Sequence, residues 1–97
     1  MNKGYWIVRS DITDTVAFAD YAAKTPQALA QFGGKFLVRA GQSVLVEGSS
    51  RARTAVIEFP SYQSALDCWE SETYQRIKAI RLGAAELDIV IIEGLLE

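Results

Sequence analysis

The sequence contains no histidine. That absence removes Ser-His-Asp and Cys-His nucleophilic chemistry and the commonest transition-metal ligand, so no metal site is expected. Cysteine is almost missing too: Cys68 stands alone and cannot form an internal disulfide, which is compatible with a reducing compartment. There is no Cys-x-x-Cys pair and no phosphate-cradling glycine loop. Long apolar runs are also absent. The run Gly4–Val8 is stopped by Arg9, too early for the core of a signal peptide, and Ile89–Ile92 is far below membrane-spanning length. Positive charge is not in surplus: Lys and Arg number 10 against 12 Asp and Glu, a net charge of -2. The basic stripe needed to neutralise phosphates is therefore missing, and nucleic acid is not an expected partner. These absences describe a soluble, cytoplasmic protein with neither membrane nor bound cofactor.

What is present suits one domain. The 97 residues are 49% hydrophobic and 23% charged, enough for a single core without staples. The organising stretch is Gly33-Gly34-Lys35-Phe36-Leu37-Val38-Arg39. Its glycines can end a helix in the left-handed region, and the residues after them alternate as a strand. Phe36 and Val38 fall on one face of that strand; Lys35, Leu37 and Arg39 fall on the other. Gly41 suggests a bulge or bend, after which Val44-Leu45-Val46 resume a strand that runs over Gly34–Glu47.

Upstream, Gly4–Asp11 alternates as a first strand, with Tyr5, Ile7 and Arg9 against Trp6, Val8 and Ser10. Asp14 is the expected cap of a helical stretch over Thr15–Phe32. Thr25-Pro26 predicts a break there, giving two helical pieces. Arg53–Phe59 is a third strand, with Arg53, Ala55, Ile57 and Phe59 on one face, ended by Pro60-Ser61. Ser61 and Ser71 cap helical pieces over 61–70 and 72–84. Leu87–Glu93 is a last strand, apolar on both faces.

The order β-α-β-β-α-β predicts an α+β, ferredoxin-like domain spanning residues 1–97: a four-stranded antiparallel sheet with helices on one face and the first and third strands central. The uncovered face would carry apolar residues from every strand, more than a monomer tolerates in contact with water. A homodimer, packed sheet face against sheet face, is the expected solution.

Lys3-Gly4-Tyr5-Trp6, Asp11-Ile12-Thr13-Asp14, the stretch Gly33–Arg39, Glu47-Gly48, Val56-Ile57-Glu58-Phe59-Pro60-Ser61, Tyr74-Gln75, Arg81 and Glu93-Gly94 together resemble the bacterial domain-of-unknown-function family thirteen-thirty. The resemblance covers nearly the whole chain. It implies a dimeric α/β-barrel and no established activity. Thr15 and Glu72 depart from it, standing at helix starts where prolines are frequent. The wider superfamily is similar to cofactor-independent monooxygenases, dye-decolourising relatives, muconolactone isomerases and stress-responsive barrels, and fold does not choose among them.

Several residues admit two readings. Arg39 is either a clamp for an anion or one half of a structural ion pair with Glu58. Glu58 is either a desolvated general base or the partner of Arg39 or Arg53. The hydroxyls of Tyr21 and Tyr74 either donate to a developing oxyanion or make one structural hydrogen bond in the core. Trp6 and Trp69 either wall a pocket or simply pack. Arg81 guards a pocket mouth or ends a helix in solvent. Cys68 has no cation near it in sequence and is expected to be inert. The expectation that follows is a small organic ligand in a cleft between sheet and helices, lined by Trp6, Tyr21, Arg39, Glu58 and Tyr74. Two alternatives stay open: an enzyme without cofactor, in which Glu58 moves a proton and Tyr21 or Arg39 steadies an oxyanion, and a structural dimer without a ligand site.

Overall fold

The structure, a computed structural model, describes residues 2–96. Seven elements follow one another: β1 (Gly4–Ile12), α1 (Thr15–Ala30), β2 (Lys35–Arg39), β3 (Arg53–Phe59), α2 (Tyr62–Glu70), α3 (Glu72–Arg81) and β4 (Ala85–Glu93). The strands form one antiparallel sheet in the order β2-β3-β1-β4, so β3 and β1 are central and the fold is ferredoxin-like. Each helix begins where the side-chain chemistry calls for it. Asp14 accepts from the amides of Val16 and Ala17, Ser61 from Ser64, and Ser71 from Tyr74.

Register decides which side chains meet the helices. Trp6 lies opposite Ile57 and Ile91, Val8 opposite Ala55 and Ile89, and Ser10 opposite Arg53 and Leu87. Trp6 is 1% exposed and packs on Tyr74, Phe59 and Trp69 with ring centroids 4.9, 5.3 and 5.9 Å away. Its indole N–H donates to the carbonyl of Ala65 at 3.0 Å, so the ring is buried without an orphaned donor. The outer face carries Ile7, Val38, Val90 and Ile92, of which Val90 and Ile92 are 56% and 50% exposed.

Three expectations are corrected. Thr15–Ala30 is one continuous helix, with Pro26 inside it. Proline lacks the amide that would bond the carbonyl four residues earlier and crowds that carbonyl with its ring; the carbonyl, on Ala22, is taken instead by the Arg39 guanidinium at 2.7 Å. The second strand ends at Arg39. Ala40 follows it in the left-handed region at φ 56°, and Val44, Leu45 and Val46 lie outside the sheet in a long connection, 80%, 55% and 87% exposed. Finally, the bulge falls earlier than Gly41. Phe36 pairs with Ile57 but Val38 pairs with Val56, so Leu37 is the extra residue. That shift turns Val38 outward and puts Arg39, opposite Ala55, on the same side as Phe36.

The long connection returns under tether. Arg51 bonds Asp11, Glu86 and Asp88 at 3.0–3.1 Å, and Arg9 donates to Ser50 at 2.7 Å. At the start of β1 the chain passes so close to the beginning of α2 that a Cβ on Gly4 would stand 2.5 Å from the Ser61 carbonyl oxygen and 2.6 Å from the Tyr62 Cα. Both obstacles are backbone, so Gly4→Ala is expected to destabilise the fold by about 1–3 kcal/mol. Urea unfolding checks this; a midpoint equal to that of the wild type would contradict the close approach.

Candidate functional site

The floor of the sheet is tall at one end and low at the other. At the level of Trp6 it is filled by Ile57, Phe36 and Tyr74. At the next two levels it carries Val8 and Ala55, then Ser10 and Arg53. Small residues in mid-sheet leave a gap beneath α1, whose Phe18, Tyr21, Ala22 and Thr25 form the opposite wall. The resulting cleft encloses about 60 Å³, with further space open to solvent. The enclosed part is smaller than drug-sized sites, roughly 300–1,000 Å³, so it suits a compact ligand or one part of a larger one.

Two hydroxyls meet inside. Tyr21 and Tyr74 are 7% and 0% exposed, and their oxygens are 2.8 Å apart. Arg81 lies behind them, 5% exposed, with one terminal nitrogen donating to the Tyr74 oxygen at 3.4 Å and its guanidinium 5.3 Å from the centre of the Tyr21 ring. Burial is the main cause that raises the Tyr74 pKa above the ordinary phenol value, the neighbouring Tyr21 adds to it, and Arg81 opposes it without prevailing. Tyr74 is therefore a neutral phenol at physiological pH and works as a hydrogen-bonding group rather than as a base.

At the open side stand Arg39 and Arg53. Arg39 is held by the Ala22 carbonyl and lies 4.3 Å over the Phe36 ring. Arg53 lies 5.2 Å over the Phe18 ring. Each guanidinium thus sits over an aromatic face at the rim.

The structure brings Trp6, Tyr21, Arg39 and Tyr74 together in the cleft. Arg81 touches the cleft only through the tyrosines, and it is buried where a solvated helix end was the other expectation. Glu58 does not line the cleft. It points to the outer face of β3, with the Lys3 and Lys35 ammonium groups at 3.5 and 3.7 Å, so the expected pairing with Arg39 or Arg53 is replaced by two lysines. The cause is alternation: Ile57 and Phe59 face the helices, and Glu58 between them cannot. Trp69 packs on Trp6 and Tyr74 and is capped by Lys78, away from the opening. Arg53 was the residue overlooked. Its signal was a cation on the otherwise apolar face Arg53, Ala55, Ile57 and Phe59.

The family described as Domain of unknown function (DUF1330) matches residues 3–95. The chain belongs to that family. No curated protein matches the sequence. Among solved structures it is similar to a protein of unknown function from Rhodopseudomonas palustris, at 14% identity and a TM-score of 0.76 over 99% of this chain and 85% of that one. It is also similar to SnoaB, a cofactor-independent oxygenase from Streptomyces nogalater, at 9% identity and a TM-score of 0.65 over 100% and 97%. A dimeric ferredoxin-like protein of unknown function from Thermobifida fusca matches at 14% identity and a TM-score of 0.52 over 98% and 92%. At these identities the likeness is one of fold. No helix among the described residues is long and apolar enough to cross a membrane.

Two consequences can be measured. Tyr74→Phe removes the acceptor of Arg81 and the partner of Tyr21 together and should cost about 1–3 kcal/mol in urea unfolding; an unchanged stability would mean that the hydroxyl cluster is not maintained in solution. Cys68 is fully buried, and desolvation raises its pKa from 9.0 to about 12. The folded state therefore holds the thiol proton more tightly than the unfolded chain. The stability this confers is complete below pH 9.0 and declines as pH rises toward 12. A Cys68→Ala variant should lose that share of the alkaline decline, and an identical profile above pH 9.0 would contradict the burial of the thiol.

Proposed function

We propose that the protein is a small cytoplasmic homodimer that binds a small organic molecule in the cleft between α1 and the sheet. The carrying observation is the cleft itself: apolar and aromatic walls enclose a few converging polar groups, the usual composition of a ligand site. Trp6 and Tyr74 would form its inner end, Tyr21 its donor and Arg39 its rim, with Arg81 acting from behind. A dry structural interior would not need two guanidiniums at an open edge.

The dimer is supported separately, by the apolar outer face of the sheet. Val38, Val90 and Ile92 stand 43%, 56% and 50% exposed there beside half-buried Ile7, and a second copy would cover them about a two-fold axis. The cleft is floored by the helix-facing side of the sheet, so the two surfaces do not compete.

A second reading, an enzyme without cofactor, is favoured by one observation: the Tyr21 hydroxyl sits where it could donate to an oxyanion formed on a bound molecule. The proton-moving role of Glu58 is harder to place, because its carboxylate lies on the opposite face of the sheet. Among the described residues no Asp or Glu lines the cleft.

A thermal-shift panel of small carboxylates, quinones and phenols tests the ligand site. A molecule at a hundred times its dissociation constant should add about 2.7 kcal/mol to wild type and markedly less to Arg39→Ala. A wild type unmoved by the whole panel would speak against the site. Sedimentation at micromolar concentration tests the dimer: wild type should run as two chains and Val90→Lys as one, whereas a monomeric wild type would remove the dimer and leave the cleft reading standing.

A further inference from the structure

Of the ion pairs that this chain forms, several lie on its outer surface. Arg51 takes three carboxylates, Arg76 pairs with Glu72, Lys24 with Asp20, and Lys3 and Lys35 share Glu58. Acids outnumber bases in the sequence, 12 to 10, yet no carboxylate lines the cleft among the described residues. Two arginines border it and a third lies behind its tyrosines. Arg39 and Arg53 stand at the rim on neighbouring strands, Arg39 opposite Ala55 and Arg53 two residues further along β3. Diagonal neighbours of this kind stand roughly 7–8 Å apart, within reach of long side chains that converge on one group. Neither is ion-paired among the described residues; each makes a contact with an aromatic face, and Arg39 one carbonyl bond.

The third arginine is deeper. Arg81 is 5% exposed, its Nε has no hydrogen-bond partner, and the acceptor its terminal nitrogen reaches is the Tyr74 hydroxyl. A buried guanidinium without a carboxylate is a costly arrangement unless something in the site makes use of it. The Tyr74 oxygen accepts from Arg81, an arrangement that favours Tyr74 as the donor to Tyr21, although either hydroxyl has the geometry to donate. The proton of Tyr21 is then left over. Hydrogen bonds in such a chain reinforce one another, and with Tyr74 as donor this one runs Arg81 to Tyr74 to Tyr21, whose O–H has no further acceptor among the described residues.

We infer that the cleft takes a flat organic carboxylate, its carboxylate held outward between Arg39 and Arg53 and a hydroxyl or carbonyl oxygen at its inner end accepting from Tyr21. The class follows from the site. The walls of Phe18, Phe36 and Trp6 suit a conjugated ring, a planar guanidinium fits a planar carboxylate with two parallel hydrogen bonds, and the inner end offers a donor without an acceptor. This inference rests on the reading of the cleft as a ligand site and adds the charge and the orientation of what binds there.

Calorimetry with four probes separates the two claims: 6-hydroxy-2-naphthoate, its neutral carboxamide, unsubstituted 2-naphthoate and 2-naphthyl phosphate. The hydroxy-acid should bind about tenfold more tightly than its carboxamide, and Arg53→Gln should erase most of that preference. It should also bind more tightly than 2-naphthoate in wild type and equally in Tyr21→Phe, a variant that keeps the ring. Equal binding of acid and carboxamide overturns the anion assignment while leaving the ligand site in place. Tighter binding of the phosphate overturns the carboxylate. No binding by any probe removes the site and the inference together.

Discussion

Trp6 holds the helical layer to the sheet. It sits on a central strand, and its ring is met by Phe59 from the sheet side and by Trp69 and Tyr74 from α2 and α3. The hydrogen bond to Ala65 fixes the ring's rotation, which a purely apolar contact would leave loose. Because Tyr74 is set by Trp6, and Tyr21 by Tyr74, the position of the cleft's inner hydroxyls traces back to one indole. Burying such a side chain is worth about 1.5–3 kcal/mol and its aromatic pairs somewhat more, so this cluster secures the fold and places the chemistry with the same atoms.

Pro26 has a comparable double effect. As a helix breaker it should have divided α1. Instead its missing amide leaves the Ala22 carbonyl open toward the cleft, and Arg39 reaches across from β2 to fill it. The guanidinium is thereby tied to the helix on one side and stacked on Phe36 on the other. An arginine at an exposed edge usually samples many rotamers; this one is held in place before any ligand arrives.

The element order, the central strands, the caps at Asp14, Ser61 and Ser71 and the turn at Gly33 were legible because each has a local cause: alternation, a side-chain acceptor, or a left-handed φ of 76°. The inward face of Trp6, Ile57 and Phe59 was legible for the same reason. The bulge was not. Leu37 is an ordinary strand residue, and what makes it the extra one is pairing with β3, a property of two strands. The error at Val44-Leu45-Val46 has a similar origin, since β-branched residues favour strands but an unpaired strand has no ladder to join. The site suffered from the bulge directly. Arg39 was placed on the face of Glu58, and the pairing of those two looked natural until the shift in register separated them across the sheet.

That shift makes the cleft's polarity depend on parity along β2. Side chains alternate, so the count of residues between Phe36 and the strand's end decides whether a guanidinium or a valine looks into the cleft. Were Leu37 to pair with Val56 instead of bulging, Val38 would stand opposite Ala55 and face the helices, and Arg39 would turn to the outer face. The backbone, the helices and the Trp6 cluster would be almost indifferent to that change, while the rim would exchange its chemistry. Whether one residue of an edge strand pairs or bulges is thus a route by which chains of this fold can alter what they bind without rebuilding what holds them together.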